Sequence, residues 1–139
     1  MSIIWHTYNW EGLSKKMLYE ALTLRSLVFV VEQNCVYQDL DSKDENGIHV
    51  LGYKQNLLVA YARVFPNAKP ASIGRVVIHP LFRGLGYGKH VMQKCIEQIP
   101  ENTTVHISAQ EHLKGFYESL GISQTAAGYL EDGIPHIPM

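Results

Sequence analysis

The sequence predicts a mixed α/β domain, a sheet of strands with helices on its faces. Three observations predict it. Strand-like and helix-like runs follow one another in the order β, α, β, β, β, α, β, α, β, β. An apolar strand ending Val76-Val77-Ile78 runs into a glycine-rich turn that opens a helix. Apolar residues make up 46% of the 139 positions and charged residues 18%, which supports one core and excludes a disordered chain. The whole of 1–139 reads as a single domain.

Ile3 to Tyr8 reads as a first strand, its aromatics suited to a half-buried surface. Ser14 is placed to cap a helix in which Leu18, Leu22, Arg25 and Phe29 recur at helical spacing. Val28 to Val31 is richer in β-branched residues than a helix prefers, which leaves that helix end open. Asp39 to Glu45 holds four acids and one lysine, and Asn46-Gly47 marks a turn. Ile48 to Lys54 and Leu57 to Phe65 read as strands joined tightly by Gln55-Asn56, since Asn tolerates positive φ. Ser72 to Ile78 is the next strand, and His79-Pro80 ends it.

Lys89 to Ile99 reads as a helix with Val91, Met92, Cys95 and Ile96 on one face, stopped by Pro100. Thr103 to Ala109 alternates as a strand. Glu111 to Leu120 reads as a helix closed by Gly121. The tail from Ile122 to Met139 supplies two strands broken near Asp132-Gly133.

Charge and composition exclude several functions. Lys plus Arg is 12 and Asp plus Glu is 13, so no basic surplus exists to neutralise a nucleic-acid backbone. The longest strongly apolar run, Leu27 to Val31, is far short of a membrane span. The start, Met1 to His6, lacks the basic and apolar regions of a signal peptide. Cys35 and Cys95 make neither a disulfide framework nor a zinc set, and both read as buried small hydrophobes. The expectation is a cytoplasmic protein with reduced thiols and no metal.

The strongest signal is Arg83-Gly84-Leu85-Gly86-Tyr87-Gly88 between strand and helix. Glycines let backbone approach a ligand closely, and a helix N-terminus offers unpaired N–H groups to an anion such as a pyrophosphate. A P-loop fails twice, with Arg83 at its first glycine and His90 at its Ser or Thr. A dinucleotide fingerprint fails because Val91 falls where its third glycine belongs. Arg/Gln-x-x-Gly-x-Gly/Ala fits Arg83, Gly86 and Gly88 without a miss.

This motif, with the strand before it, Phe116-Tyr117 and the ending Glu131-Asp132-Gly133-Ile134-Pro135-His136, resembles the GNAT superfamily of N-acetyltransferases over essentially the whole chain. Phe29 to Cys35 and Tyr37-Gln38-Asp39 are similar to its ElaA-like branch. The resemblance implies a mostly antiparallel sheet with a splayed parallel pair and flanking helices. It implies acetyl-CoA as acyl donor and an amine, of a small molecule or a peptide, as acceptor, and it allows a homodimer. Backbone groups of Val76, Val77 and Ile78 would bond the pantetheine arm, and Arg83, Gly84, Leu85, Gly86, Tyr87 and Gly88 the pyrophosphate. Gln110, at a position where many members have Asn, and Phe116 would join the cofactor site. Tyr117 would protonate the leaving thiolate, and transfer would be direct in a ternary complex. Ile122 replaces the phenylalanine common after Gly121.

Proton removal from the acceptor has two candidates. Glu32 follows an apolar helical run, which suits a partly buried carboxylate of raised pKa, or else a capping or salt-bridge residue. His136 is placed on the last strand, and an imidazole, whose unperturbed pKa is ~6.5, suits proton transfer. Water relays, common in the superfamily, are the alternative to both. His79 reads as structural. Arg25, Arg63 and Arg75 sit in apolar runs and must be paired or reach an edge. The acid-rich stretch reads as a solvated face, or, if beside the acceptor, as a lure for a cationic amine. A non-catalytic acyl-CoA-binding module of the same fold is the rival reading, and a nucleotide-binding domain is the third.

Overall fold

The computed structural model describes residues 3–33, 38–100, 103–110, 118, 129–131 and 134–138. Five strands, β1 (Ile4–Asn9), β2 (Ile48–Lys54), β3 (Leu57–Phe65), β4 (Ala71–Ile78) and β5 (Val105–His106), form one sheet in that spatial order. All its pairs are antiparallel except β4 with β5. A second sheet holds β6 (Ser108–Gln110), β7 (Tyr129–Glu131) and β8 (Ile134–Pro138), with β8 in the middle. Among the described residues the longer α-helices are α1 (Lys15–Arg25) and α2 (Tyr87–Glu97).

The tight turn between β2 and β3 forms as its residues require. Gln55 and Asn56 both take positive φ, 50° and 66°, the geometry that matches the twist of paired strands. Ser14 caps α1, its hydroxyl oxygen accepting from the Met17 N–H at 3.1 Å. The face α1 buries is Ala21, Leu24 and Arg25, followed by Val28 beyond its end, rather than the Leu18 and Leu22 row. After Arg25 the helix widens into a π-helical segment, Ser26–Glu32. The β-branched run there was the point at which the helix end stayed open in the sequence.

One core lies between the sheet and α2: Val50, Ala60, Ala62, Val64 and Ile73 meet Val91, Met92 and Cys95. Burial pushes the Cys95 thiol up to about 12, leaving it an unreactive apolar group. Ile96, assigned to the same face by spacing, is 44% exposed. A second core on the opposite face joins Ala21, Leu24 and Val28 to Leu51, Leu58, Tyr61 and Val77. Helices thus cover both faces of the sheet, as the periodicity predicts.

The run Thr103 to Ala109 differs from expectation. It divides between the two sheets, with β5 ending at His106 and β6 starting at Ser108. Strands β4 and β5 pair only at Ala71 with Val105 and Ser72 with His106. Beyond Ser72, β4 continues to Ile78 while the other chain turns to β8. The parallel pair therefore splays, and among the described residues no strand pairs with that edge of β4 past Ser72. The expected helix Glu111 to Leu120 lies outside the described residues apart from Glu118, which is helical. Cys35 also lies outside them.

Candidate active site

The splay leads directly to the glycine turn. The His79 N–H bonds the Val59 carbonyl at 2.8 Å and extends the sheet one step past β4. The ring Nδ1 of His79 accepts from the Leu81 N–H at 3.2 Å and caps the short 3-10 turn Pro80–Phe82. His79 is a structural residue in this geometry. Gly84 and Gly86 then take left-handed φ of 78° and 83°. Side chains rarely adopt that conformation, and the space beside each glycine is open to 4 Å. Gly86 is the N-cap of α2 and supplies no side-chain cap, so it leaves the first N–H groups of the helix for another acceptor.

Arg83, the first residue of the motif, meets Glu32. Its Nη1 and Nη2 bond the two carboxylate oxygens at 2.9 and 2.7 Å, and its Nε donates to the Ile78 carbonyl at 3.3 Å. Glu32 ends the π-helical segment and is exposed rather than partly buried, and its ion pair with Arg83 is the salt-bridge alternative. Two residues assigned separate tasks by sequence thus form one pair at the end of β4.

Lys54, which sequence reasoning missed, stands on the other flank of the turn. Its Nζ donates to the Tyr87 hydroxyl at 3.3 Å and lies 5.7 Å from the Phe82 ring centre. A lone lysine before a hairpin turn gives no local sign of such a neighbourhood.

The three isolated arginines are all paired, in one arrangement. Asp39 joins Arg25 (2.8 Å) to Arg75 (2.9 Å), Asp41 joins Arg75 (3.4 Å) to Arg63 (2.8 Å), and Asp44 joins Arg63 (3.0 Å) back to Arg25 (2.9 Å). Six alternating charges close into a ring, and Arg25 within it is fully buried. Equal numbers of each sign let the charges leave water together. Burial pushes the carboxyls of Asp41 and Asp44 up, but the arginines outweigh it and hold both below the ordinary carboxylate range. His49 and Tyr61 pack beside the ring. The His49 Nε2 lies 2.9 Å from the Asp44 carbonyl, which only accepts, so Nε2 carries the hydrogen and Nδ1 accepts from the Tyr61 hydroxyl at 2.6 Å. The acid-rich stretch is therefore no free lure for a cation, since three of its acids turn inward to arginines.

A family profile described as "Acetyltransferase (GNAT) domain" matches residues 8–139. The chain belongs to the GNAT acetyltransferases. The ElaA protein of Escherichia coli is 43% identical over 99% of this chain and 95% of its own length. Its crystal structure superposes with a TM-score of 0.92 at 41% identity, covering 99% of this chain and 97% of that one. An acyl-CoA N-acyltransferase from Pseudomonas aeruginosa matches equally well, with a TM-score of 0.92, 38% identity and coverage of 99% and 98%.

The GNAT chain brings some candidate residues together and leaves others apart. Val76, Val77 and Ile78 form the end of β4, and Arg83 to Gly88 follow within the turn and the start of α2. Gln110 and His136, distant in sequence, lie opposite each other in the β6–β8 register. Phe116 and Tyr117 lie outside the described residues.

Proposed function

We propose that this GNAT acetyltransferase transfers the acetyl group of acetyl-CoA to a primary amine by direct attack in a ternary complex. One observation carries the reading: among the described residues no strand pairs with that edge of β4 past Ser72, and β4 leads to the left-handed turn of Gly84 and Gly86. An extended arm adds to such an edge as a strand would. A diphosphate would lie in the space beside the two glycines, near a helix start whose dipole favours negative charge.

Bound acetyl-CoA would supply an activated thioester and a thiolate leaving group. Backbone groups of Val76, Val77 and Ile78 would hold its arm, with Gln110 and Phe116 beside it. The N–H groups of Arg83, Gly84, Leu85, Gly86, Tyr87 and Gly88 would hold the diphosphate. Tyr117 would keep a proton for the departing sulfur, since a phenol of pKa near ~10 stays protonated at neutral pH. Glu32 or His136 would take the proton from the acceptor ammonium. Glu32 must first leave Arg83, and a diphosphate at the turn is the negative charge able to replace it. The acceptor would be an amine of a small molecule or a peptide.

The test is thermal unfolding with acetyl-CoA, CoA, ATP and NAD in separate samples. A ligand at about 100 times its Kd adds ~2.7 kcal/mol, so a rise with acetyl-CoA and CoA alone is the expected result. An amine screen by thiol release then follows. No rise with CoA, or a larger one with ATP or NAD, removes the reading.

A further inference from the structure

The charge ring and the open edge of β4 share one residue, Arg75. Its φ is 52°, a left-handed conformation in the middle of a strand that is costly for any side chain other than glycine. The register explains why it is there. Tyr61 faces Val77 and Arg63 faces Gly74, so two steps along β3 match three along β4. The extra residue is a β-bulge, and it changes which face each later side chain takes. Ile73 and Val76, three apart, both pack on the α2 side, while Val77 packs on the α1 side. Strict alternation from Ile73 would send Arg75 into the apolar α2-side core. The bulge sends it instead to Asp39 at 2.9 Å and Asp41 at 3.4 Å, and its Nη2 donates to the Asp39 carbonyl at 3.0 Å.

The bulge also stands where the parallel pair ends. Pairing with β5 stops at Ser72, two residues before Gly74. A bulge bends its strand and sharpens the local twist, which turns the following residues away from the former partner. We infer that Arg75 is a positioning residue for the acyl-CoA cleft: by closing the charge ring it holds β4 in the left-handed bulge that opens the Val76–Ile78 edge. This rests on the acyl-CoA reading above.

The test compares Arg75→Gly with Arg75→Ala. Both lose the same ion pairs, so a purely structural role lowers the melting temperature of both and leaves their CoA affinity alike. Glycine takes the left-handed conformation freely and alanine does not. The Kd for CoA, measured by calorimetry on folded protein, is expected within about 3-fold of wild type for Arg75→Gly and about 10-fold weaker for Arg75→Ala, by the per-residue penalty of left-handed backbone. Equal affinities for the two variants, or wild-type affinity in Arg75→Ala, overturn the inference. Should Arg75→Ala fail to fold, Arg75→Gln replaces it, since glutamine keeps the backbone penalty but carries no charge to close the ring. Affinity in Arg75→Gln equal to that in Arg75→Gly then overturns it. Wild-type protein that binds no CoA sinks the acyl-CoA reading and this inference together. Wild-type binding without a difference between glycine and alanine sinks only the role of Arg75.

Discussion

Arg83 grips Glu32 with both arms of its guanidinium, at 2.9 and 2.7 Å, and so joins the end of the π-helical segment to the glycine turn. The pair is exposed, and exposed ion pairs contribute little to stability. Its interest is its place. An anion bound at the turn would compete with Glu32 for Arg83; on the function proposed above, arrival of the acyl donor would then release a carboxylate.

Glu32→Gln tests that link. Removing the competing charge is expected to leave CoA affinity equal or tighter by a few-fold, while kcat falls about 100-fold, the usual loss on removing a general base. Calorimetry and steady-state rates with an identified amine measure the two. Weaker CoA binding together with unchanged kcat would mean that Glu32 braces the turn and takes no proton.

Tyr117→Phe is expected to keep CoA affinity and melting temperature and to lower kcat about 100-fold or more, the usual loss for a missing general acid. Unchanged turnover would remove Tyr117 from the chemistry. A wild-type chain that binds CoA yet acetylates no amine in a broad screen would favour the non-catalytic module.

Asp44 serves both Arg25 and Arg63 in the buried ring. Asp44→Ala leaves two buried cations short of charge, a change that typically costs about 3–5 kcal/mol. Urea unfolding would show it as a lower midpoint with unchanged slope. A loss under about 1 kcal/mol, the range of exposed pairs, would mean that the ring is wetter than its geometry.

Acid should weaken the fold in two stages. Burial, helped by the nearby Arg25 and Arg63 charges, holds the His49 imidazole below its ordinary pKa despite the bond to the Asp44 carbonyl. The unfolded chain therefore binds the proton first, and stability falls as pH drops below about 6.5, by at most ~1.4 kcal/mol per pH unit. Above that pH, His49 is neutral in both states and adds no slope. Asp41 and Asp44, held low in the fold, add a second loss below about 3.9. Urea unfolding from pH 8 down to about pH 2, with NMR titration of the His49 ring, would check both stages. An imidazole that titrates normally in the folded chain would refute the first stage.

Much of the fold was legible where one residue type decides local geometry. Gln55-Asn56 announced the hairpin, Ser14 the helix start, and Gly84 and Gly86 the turn at the head of α2. What escaped depends on distant partners. The division of Thr103 to Ala109 between two sheets follows from β8, which pairs with Ser108 to Gln110. The bulge at Arg75 is chosen by Asp39 and Asp41, more than thirty positions away. Glu32 was singled out as a carboxylate after an apolar run, but its partner Arg83 lies 51 positions on. Pairing of the arginines could be required from burial alone, whereas a closed ring could not.

That ring gives an ordinary connecting segment an unusual standing. Asp39, Asp41 and Asp44 reach α1, β3 and β4 at once. Segments between elements usually open and close on their own, at little free energy. This one can detach only by stripping counterions from three separate parts of the core. The amides of 39–44 should exchange with solvent on the timescale of global opening, and that stretch should tolerate few insertions.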